Sequence, residues 1–321
     1  MTRVAIHVRT LAALLGVAVA SGACAQPAPP TGTAETPHAI AVTIDDLPAQ
    51  RAGDLGAMQR VTRDLLSRIT EAGLPVTGFV NEGKLDVEGE REARADLLRQ
   101  WVDAGLDLGN HTVDHVSLFT TPLAAFEDQV RRGAVVTNWL LAARGDSARY
   151  FRHPYLNVGP DIETKRAFET WLAAEGYTVA PVTHDNGEYI YAFAYDRAAG
   201  DAALQARIAD AYLAYMDTTA AYFEDLSQDL FGRDVAHVLL IHANALNADH
   251  LDRLLDTFRQ RGYRFVSLDE ALADPAYQSE DTYTGRAGMS WLQHWAITRG
   301  VRFESEPVWD DWVYRIAYPD E

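Results

Sequence analysis

Seven short β-rich runs alternate with helical segments through the body of this 321-residue chain, and that rhythm constrains its fold more than any other feature. The runs are His38–Ile44, Pro75–Val80, Leu106–Gly109, Arg149–Arg152, Tyr177–Val182, His237–His242 and Arg264–Ser267. Between them, apolar residues recur at helical spacing over Leu55–Ala72, Glu92–Ala104, Leu123–Ala143, Ile162–Glu175, Ala202–Leu230 and Ala248–Arg261. Gly73, Gly105, Gly176 and Gly262 stand where a left-handed C-cap would turn four of these helices back toward a strand. Strands joined by helices pair in parallel, because a parallel connection needs a crossover. A closed barrel and an open doubly wound sheet both satisfy the pattern. No Gly-x-Gly-x-x-Gly follows an early strand, so nothing specific supports a dinucleotide fold.

The rhythm begins only at about residue 38. Before it, Arg3 and Arg9 precede an apolar run, Leu11–Ala20, that is too short to cross a bilayer. Ala23-Cys24-Ala25 then offers a small-x-small cleavage site. Residues 1–25 are therefore expected to be a signal peptide and 26–37, rich in Pro, Ala and Thr, a linker. The expected destination is the periplasm or the cell exterior. A lipid anchor on Cys24 is the second route; Ser21 stands where that signal uses a large aliphatic residue. Cys24 is the only cysteine, so cleavage after Ala25 leaves no disulfide, no thiolate nucleophile and no cysteine-based zinc site. The formal net charge is −18, and loss of the two arginines makes it more negative still. Nucleic acid is a poor partner for so acidic a chain, and neutral or cationic substrates fit better. No transmembrane segment is expected in the mature chain.

The unusual polar residues gather at the C-terminal ends of the expected strands, the face that carries the active site in parallel α/β architectures. Asp45 and Asp46 end the first strand, Asn110 and His111 follow the third, Arg152 and His153 end the fourth, His184 and Asp185 follow the fifth, and His242 ends the sixth. Adjacent carboxylates are costly without a cation to compensate them, although an Asp pair also serves as a helix cap. The spacing of His111 and His115 places two imidazoles on one face of a helical turn. Two His and one Asp make a donor set that leaves positions open, as a hydrolytic metal needs. Arg152 is suited to pair with a carboxylate, the backbone N–H of Tyr155 to face an oxyanion, and His242 to donate a proton near neutral pH. Each residue alone has a bland reading as a cap, a turn or a satisfied core histidine; their convergence on one face carries the functional one.

These segments, in this order, resemble the polysaccharide deacetylases of the NodB homology group, also called carbohydrate esterase family 4. Thr43-Ile44-Asp45-Asp46 resembles the family's Thr-Phe-Asp-Asp motif, His111-Thr112-Val113-Asp114-His115 its His-Ser/Thr-x-x-His motif, Arg152-His153-Pro154-Tyr155 its Arg-x-Pro-Tyr motif, and Ile241-His242 its last motif. The resemblance implies a distorted (β/α)7-type barrel over 38–274, interrupted by a helical insertion at about 186–235 and followed by an aromatic-rich extension, 275–321. It implies a divalent metal, zinc by ligand type, on Asp46, His111 and His115. It makes Asp45 the base, His242 the acid, Arg152 the group that positions the base, and Tyr155 an oxyanion donor. Asp185 is carried over as the carboxylate tuning Arg152 or His242. The implied reaction is removal of N-acetyl groups from amino sugars. O-acetyl ester hydrolysis, cleavage of a small amide and carbohydrate binding without catalysis are the alternatives. Two features depart from the family pattern: Leu47-Pro48 follows Asp46 where a Gly is usual, and Thr183–Tyr189 lacks the usual Asp-rich fourth motif. The extension holds four of the seven tryptophans. Trp291 and Trp295, four residues apart, are expected to pack a helix onto the core, with sugar stacking as the other reading.

Overall fold

A computed structural model describes residues 38–51 and 53–320. The expected signal peptide, the linker, Cys24 and its processing lie outside the described residues. Seven strands appear in chain order: β1 (Ala39–Leu47), β2 (Thr77–Val80), β3 (Asp107–Asn110), β4 (Tyr150–Phe151), β5 (Thr178–Val179), β6 (His237–His242) and β7 (Arg264–Phe265). Every ladder is parallel. The sheet runs β5-β4-β3-β2-β1-β6, and β7 pairs with the start of β1. Its two ends are joined: beyond β5, the backbone N–H groups of Thr183 and His184 donate to Val238 O at 3.1 and 3.0 Å, making a parallel bridge to β6. The result is a curled parallel sheet of the expected (β/α) barrel type, distorted where β4 and β5 shrink to two residues each.

The helices are α1 (Leu55–Ala72), α2 (Arg91–Asp103), α3 (Leu123–Arg132), α4 (Val135–Ala142), α5 (Ile162–Ala174), α6 (Glu188–Arg197), α7 (Ala202–Phe231), α8 (Ala245–Gln260), α9 (Leu268–Leu272), α10 (Trp291–Arg299) and α11 (Asp311–Ala317). Gly73, Gly105, Gly176 and Gly262 all have positive φ, as their positions at helix ends predicted. β1 is buried along its whole length, which explains its unbroken apolar run from Ala39 to Ile44 apart from Thr43. The Thr43 hydroxyl is satisfied inside the core, donating to Leu239 O at 2.7 Å.

Two local expectations are corrected. The single helix expected over Leu123–Ala143 is two, α3 and α4, broken at Gly133. The chain there passes so close to the His111 loop that a Cβ on Gly133 would lie 2.6 Å from the carbonyl carbon of Thr112. The helical insertion expected at about 186–235 opens with α6, which is buried on several sides and therefore lacks the one-sided apolar stripe of a surface helix. The strand expected over Tyr177–Val182 is ordered as strand only at Thr178–Val179, because its continuation crosses toward β6.

Candidate active site

At the end of β1 the chain presents Asp45 and Asp46 in different directions, since Asp46 takes a left-handed backbone conformation with φ 71°. Asp45 Oδ2 lies 3.4 Å from Arg152 Nη1. Arg152 is fully buried and held on three further sides: Nη2 donates to Thr43 Oγ1 at 2.9 Å, Nε to Ala180 O at 2.8 Å, and its guanidinium lies 4.6 Å from the Phe79 ring centroid. Burial pushes the Asp45 carboxyl up to about 6, with Arg152 and His242 opposing the rise. Its Oδ1 is buried without a hydrogen-bond partner. An ionisable carboxylate with one free oxygen at a cavity wall is suited to take a proton.

Asp46 is buried as well, and burial alone would raise its pKa. The Lys84 ammonium and the His115 and His242 rings outweigh that, so its carboxyl sits well below the usual range. Lys84 Nζ lies 3.3 Å from Asp46 Oδ1 and donates to Asp46 O at 2.9 Å and to Gln50 O at 3.3 Å.

His111 and His115 do converge, but not on a helical turn. The stretch is a loop with positive φ at Thr112 (65°) and His115 (52°). Short hydrogen bonds impose that path. Asn110 Oδ1 accepts from Thr112 N at 2.8 Å, Asn81 Nδ2 donates to His111 O at 2.6 Å, and Val113 is bound through both its N–H (Gln129 O, 3.1 Å) and its carbonyl (Gly83 N, 2.8 Å). The ring centroids of His111 and His115 are 4.8 Å apart. His111 Nδ1 lies 2.8 Å from Arg152 O, a carbonyl that can only accept, so Nδ1 carries the proton and Nε2 offers its lone pair. Burial lowers the pKa of both imidazoles, which favours the neutral form that binds metals.

One ligand atom from each of Asp46, His111 and His115 lies within 4.8 Å of the others. The donor chemistry, the His111 tautomer and the partnerless oxygen on neighbouring Asp45 fit a divalent cation. Nitrogen-rich donors of this kind suit zinc without identifying it.

Arg152-His153-Pro154-Tyr155 forms the next wall. Tyr155 has φ 57° and Leu156 φ 52°. The Tyr155 ring meets His115 edge-on at 4.4 Å, yet the residue is 62% exposed and stands at the rim. Behind it the extension presses in: a Cβ on Gly288 would lie 1.7 Å from Tyr155 O.

His242 ends β6. Its Nδ1 donates to Glu188 Oε2 at 2.7 Å, while the other Glu188 oxygen accepts from the side-chain amides of Asn244 and Asn247. Burial opposes protonation of His242, but the Glu188 carboxylate prevails, and the imidazole is raised to about 9. Asp185 lines the same cavity; burial raises its carboxyl to about 6, and His242 and Arg152 act on it through charge. Its described hydrogen bond is to Asn186 N at 2.8 Å, so the carboxylate in direct contact with His242 is Glu188. Glu188 was missed from sequence. The available signal was a lone Glu opening an otherwise apolar, aromatic segment, Glu188–Tyr195, because a buried carboxylate needs a partner. Lys84 was missed too, although only two lysines occur in the chain, Lys84 and Lys165, and both are held in ion pairs, Lys165 buried and Lys84 half-buried.

Asp45, Asp46, His111, His115, Tyr155, Asp185 and His242 line one cavity of about 640 Å³. Its lining also includes Tyr189, Phe193 and Tyr215 from the helical insertion and Glu306–Trp309 from the extension. Trp291 and Trp295 are buried in the core, as the packing reading expected. Among the described residues, no helix is long and apolar enough to cross a membrane.

Residues 32–169 match the family model described as polysaccharide deacetylase. That span holds Asp45, Asp46, His111, His115, Arg152 and Tyr155; Asp185, Glu188 and His242 lie beyond it. Among solved structures, the chain is similar to the chitin deacetylase of the fungal pathogen Colletotrichum lindemuthianum (23% identity, covering 74% of this chain and 88% of that one, TM-score 0.49). It is also similar to a family 4 carbohydrate esterase from Streptomyces lividans in complex with acetate (21%, 74% and 97%, 0.46). A third similar structure is a family 4 pseudoenzyme from Bacillus anthracis (14%, 74% and 66%, 0.48). No curated protein matches the chain.

Proposed function

We propose that the chain is a member of the polysaccharide deacetylase family, whose model matches residues 32–169, and that it is an exported, metal-dependent hydrolase that removes N-acetyl groups from amino sugars. The observation that carries this reading is the pairing of a base and an acid across one cavity. Asp45, with a free oxygen and a pKa near the working range, and His242, held protonated by Glu188, line the same space as the Asp46, His111 and His115 donors. Binding alone would require neither.

A divalent cation held by Asp46, His111 and His115 would polarise the acyl carbonyl and acidify a water. Asp45 accepts the proton of the attacking water, and Arg152 orients its other oxygen from 3.4 Å. The Tyr155 backbone, fixed in its left-handed conformation, is assigned the oxyanion of the tetrahedral state. His242 delivers its proton to the departing amine, with Glu188 stabilising the cationic ring beforehand. Asp185 contributes negative charge near both Arg152 and His242. Export rests on the Arg3–Ala25 pattern of the sequence.

The deciding assay is acetate release from a panel of N-acetylated and O-acetylated glycans, with and without a chelator and with zinc added back. Chelator-sensitive release from N-acetyl substrates supports the reading. Release from O-acetyl esters alone would make the protein an esterase, and no release from any member would place it among non-catalytic relatives.

A further inference from the structure

The C-terminal extension does more than pack. Between α10 and α11 it crosses the cleft as a strap whose middle, Glu306–Trp309, lines the cavity that holds the Asp45 and His242 side chains. The strap is pinned on both sides. On one, Tyr222 Oη donates to Glu304 O at 2.7 Å. On the other, Asp310 N donates to Tyr191 Oη at 3.2 Å, and the same hydroxyl donates to Asp310 Oδ2 at 3.2 Å. α11 is tied down again by Arg197 Nε, which donates to Ala317 O at 2.9 Å.

Trp309 is seated rather than loose. Its ring lies against the backbone of Gly187, where a Cβ would come within 2.9 Å of Trp309 Cε3. The Tyr314 ring is stacked on it, with centroids 6.0 Å apart and planes 15° apart. Tyr215 Oη, which accepts from Gly187 N at 2.7 Å, completes the seat. The strap also brings polar and apolar groups to the cavity. Glu306 Oε1 is buried without a partner. Val308 is 80% exposed, and with Tyr155 it leaves apolar surface at the cavity mouth.

A cavity of about 640 Å³ takes one ligand of drug size and buries most of it. A polymer lying through the site would have to pass a length of chain pinned at both ends. From this we propose that the strap closes one end of the cleft and makes Glu306 and Trp309 the specificity-determining wall. The substrate class is then a short acylated amino sugar, or the terminal residue of a longer chain, with Trp309 covering a ring face and Glu306 bonding a hydroxyl or amine. This rests on the deacetylase reading and narrows it. Burial raises the Glu306 carboxyl to about 7, so at neutral pH it offers both a donor and an acceptor.

The test uses the full-length, zinc-loaded protein and a fully N-acetylated amino-sugar tetrasaccharide, with products sequenced by mass spectrometry. The wall predicts loss of acetyl from a terminal unit, and roughly ten-fold lower kcat/KM per acetyl group on a soluble polymer than on the disaccharide. Trp309→Ala should shrink that ratio toward one and extend cleavage to internal units, with a circular-dichroism melt verifying the fold. If Trp309→Ala does not fold, the wild-type cleavage pattern alone decides. Internal cleavage by the wild type, at equal efficiency on polymer and disaccharide, overturns the wall while leaving the deacetylase reading intact. A total absence of acetate release defeats that reading instead, and the wall with it.

Discussion

Glu188 Oε2 and His242 Nδ1 stand 2.7 Å apart, joining a helix absent from the family-model match to the last strand end of the site. Glu188 is fully buried, and amides from Asn244 and Asn247 fix its second oxygen. A carboxylate held this way stabilises the imidazolium and keeps the proton on the ring in the alkaline range. Glu188→Gln keeps a hydrogen-bond acceptor but loses the charge. The alkaline limb of kcat/KM should then move down by roughly one pH unit or more, with little change on the acid side. An unmoved alkaline limb would separate Glu188 from the acid's function.

The acid limb belongs to Asp45. Its carboxyl is raised to about 6 by burial and works only when ionised, so activity should rise as pH increases through that pKa, and a bound cation will pull the limb lower. Asp45→Asn should lower kcat by roughly 10²- to 10⁴-fold while zinc content, read by elemental analysis, stays at the wild-type level. Retained turnover would remove Asp45 from the role of base.

His115 is the most accessible of the three proposed ligands, with 26% of its side chain exposed, so its removal leaves the core intact. His115→Ala should purify with a zinc content well below one per chain and with activity lost in proportion. Full metal occupancy in that variant would count against the ligand set.

Arg152→Met leaves Asp45 buried without its guanidinium partner. Breaking such a pair costs about 3–5 kcal/mol when the remaining charge stays buried. The sign of the pH dependence follows from the raised Asp45 carboxyl. Below about 6 the residue can take a proton and become neutral, so the variant should lose less stability at pH 5 than at pH 8. Urea denaturation at the two pH values measures the difference. Equal losses would show that Asp45 is not the charge left stranded.

The strand ends were readable because period and position coincide there: a buried parallel strand is an apolar run, and the first polar residue after it marks the mouth of the barrel. Asp45, Asp46, His111 and His242 were found in that way. The helix assigned to His111–His115 was wrong because i, i+4 spacing is also produced by a loop bent at Thr112 and His115, and only long-range hydrogen bonds from Asn81, Gln129 and Gly83 choose between them. Periodicity did not mark helix α6, which fell only within the helical insertion that the family resemblance implied, because a helix buried on several sides has no amphipathic period to read. The strap at Glu306–Trp309 lies about 120 residues from the Asp185–Gly187 loop it covers, a distance over which local pattern carries no information.

Asp46, Thr112, His115, Tyr155 and Leu156 are the five non-glycine residues with positive φ in the described chain, and each belongs to, or lies within, a segment that lines the cleft. Held there, each residue costs of order 1–3 kcal/mol, which the remaining barrel must exceed for the protein to stay folded. Stability and catalysis are therefore opposed at these positions. Replacing Thr112 or Tyr155 with glycine would relax the backbone and loosen the site together. Selection for heat resistance alone would erode the cleft before it touched the sheet, so hardening this protein calls for changes on its outer helices rather than at the mouth of the barrel.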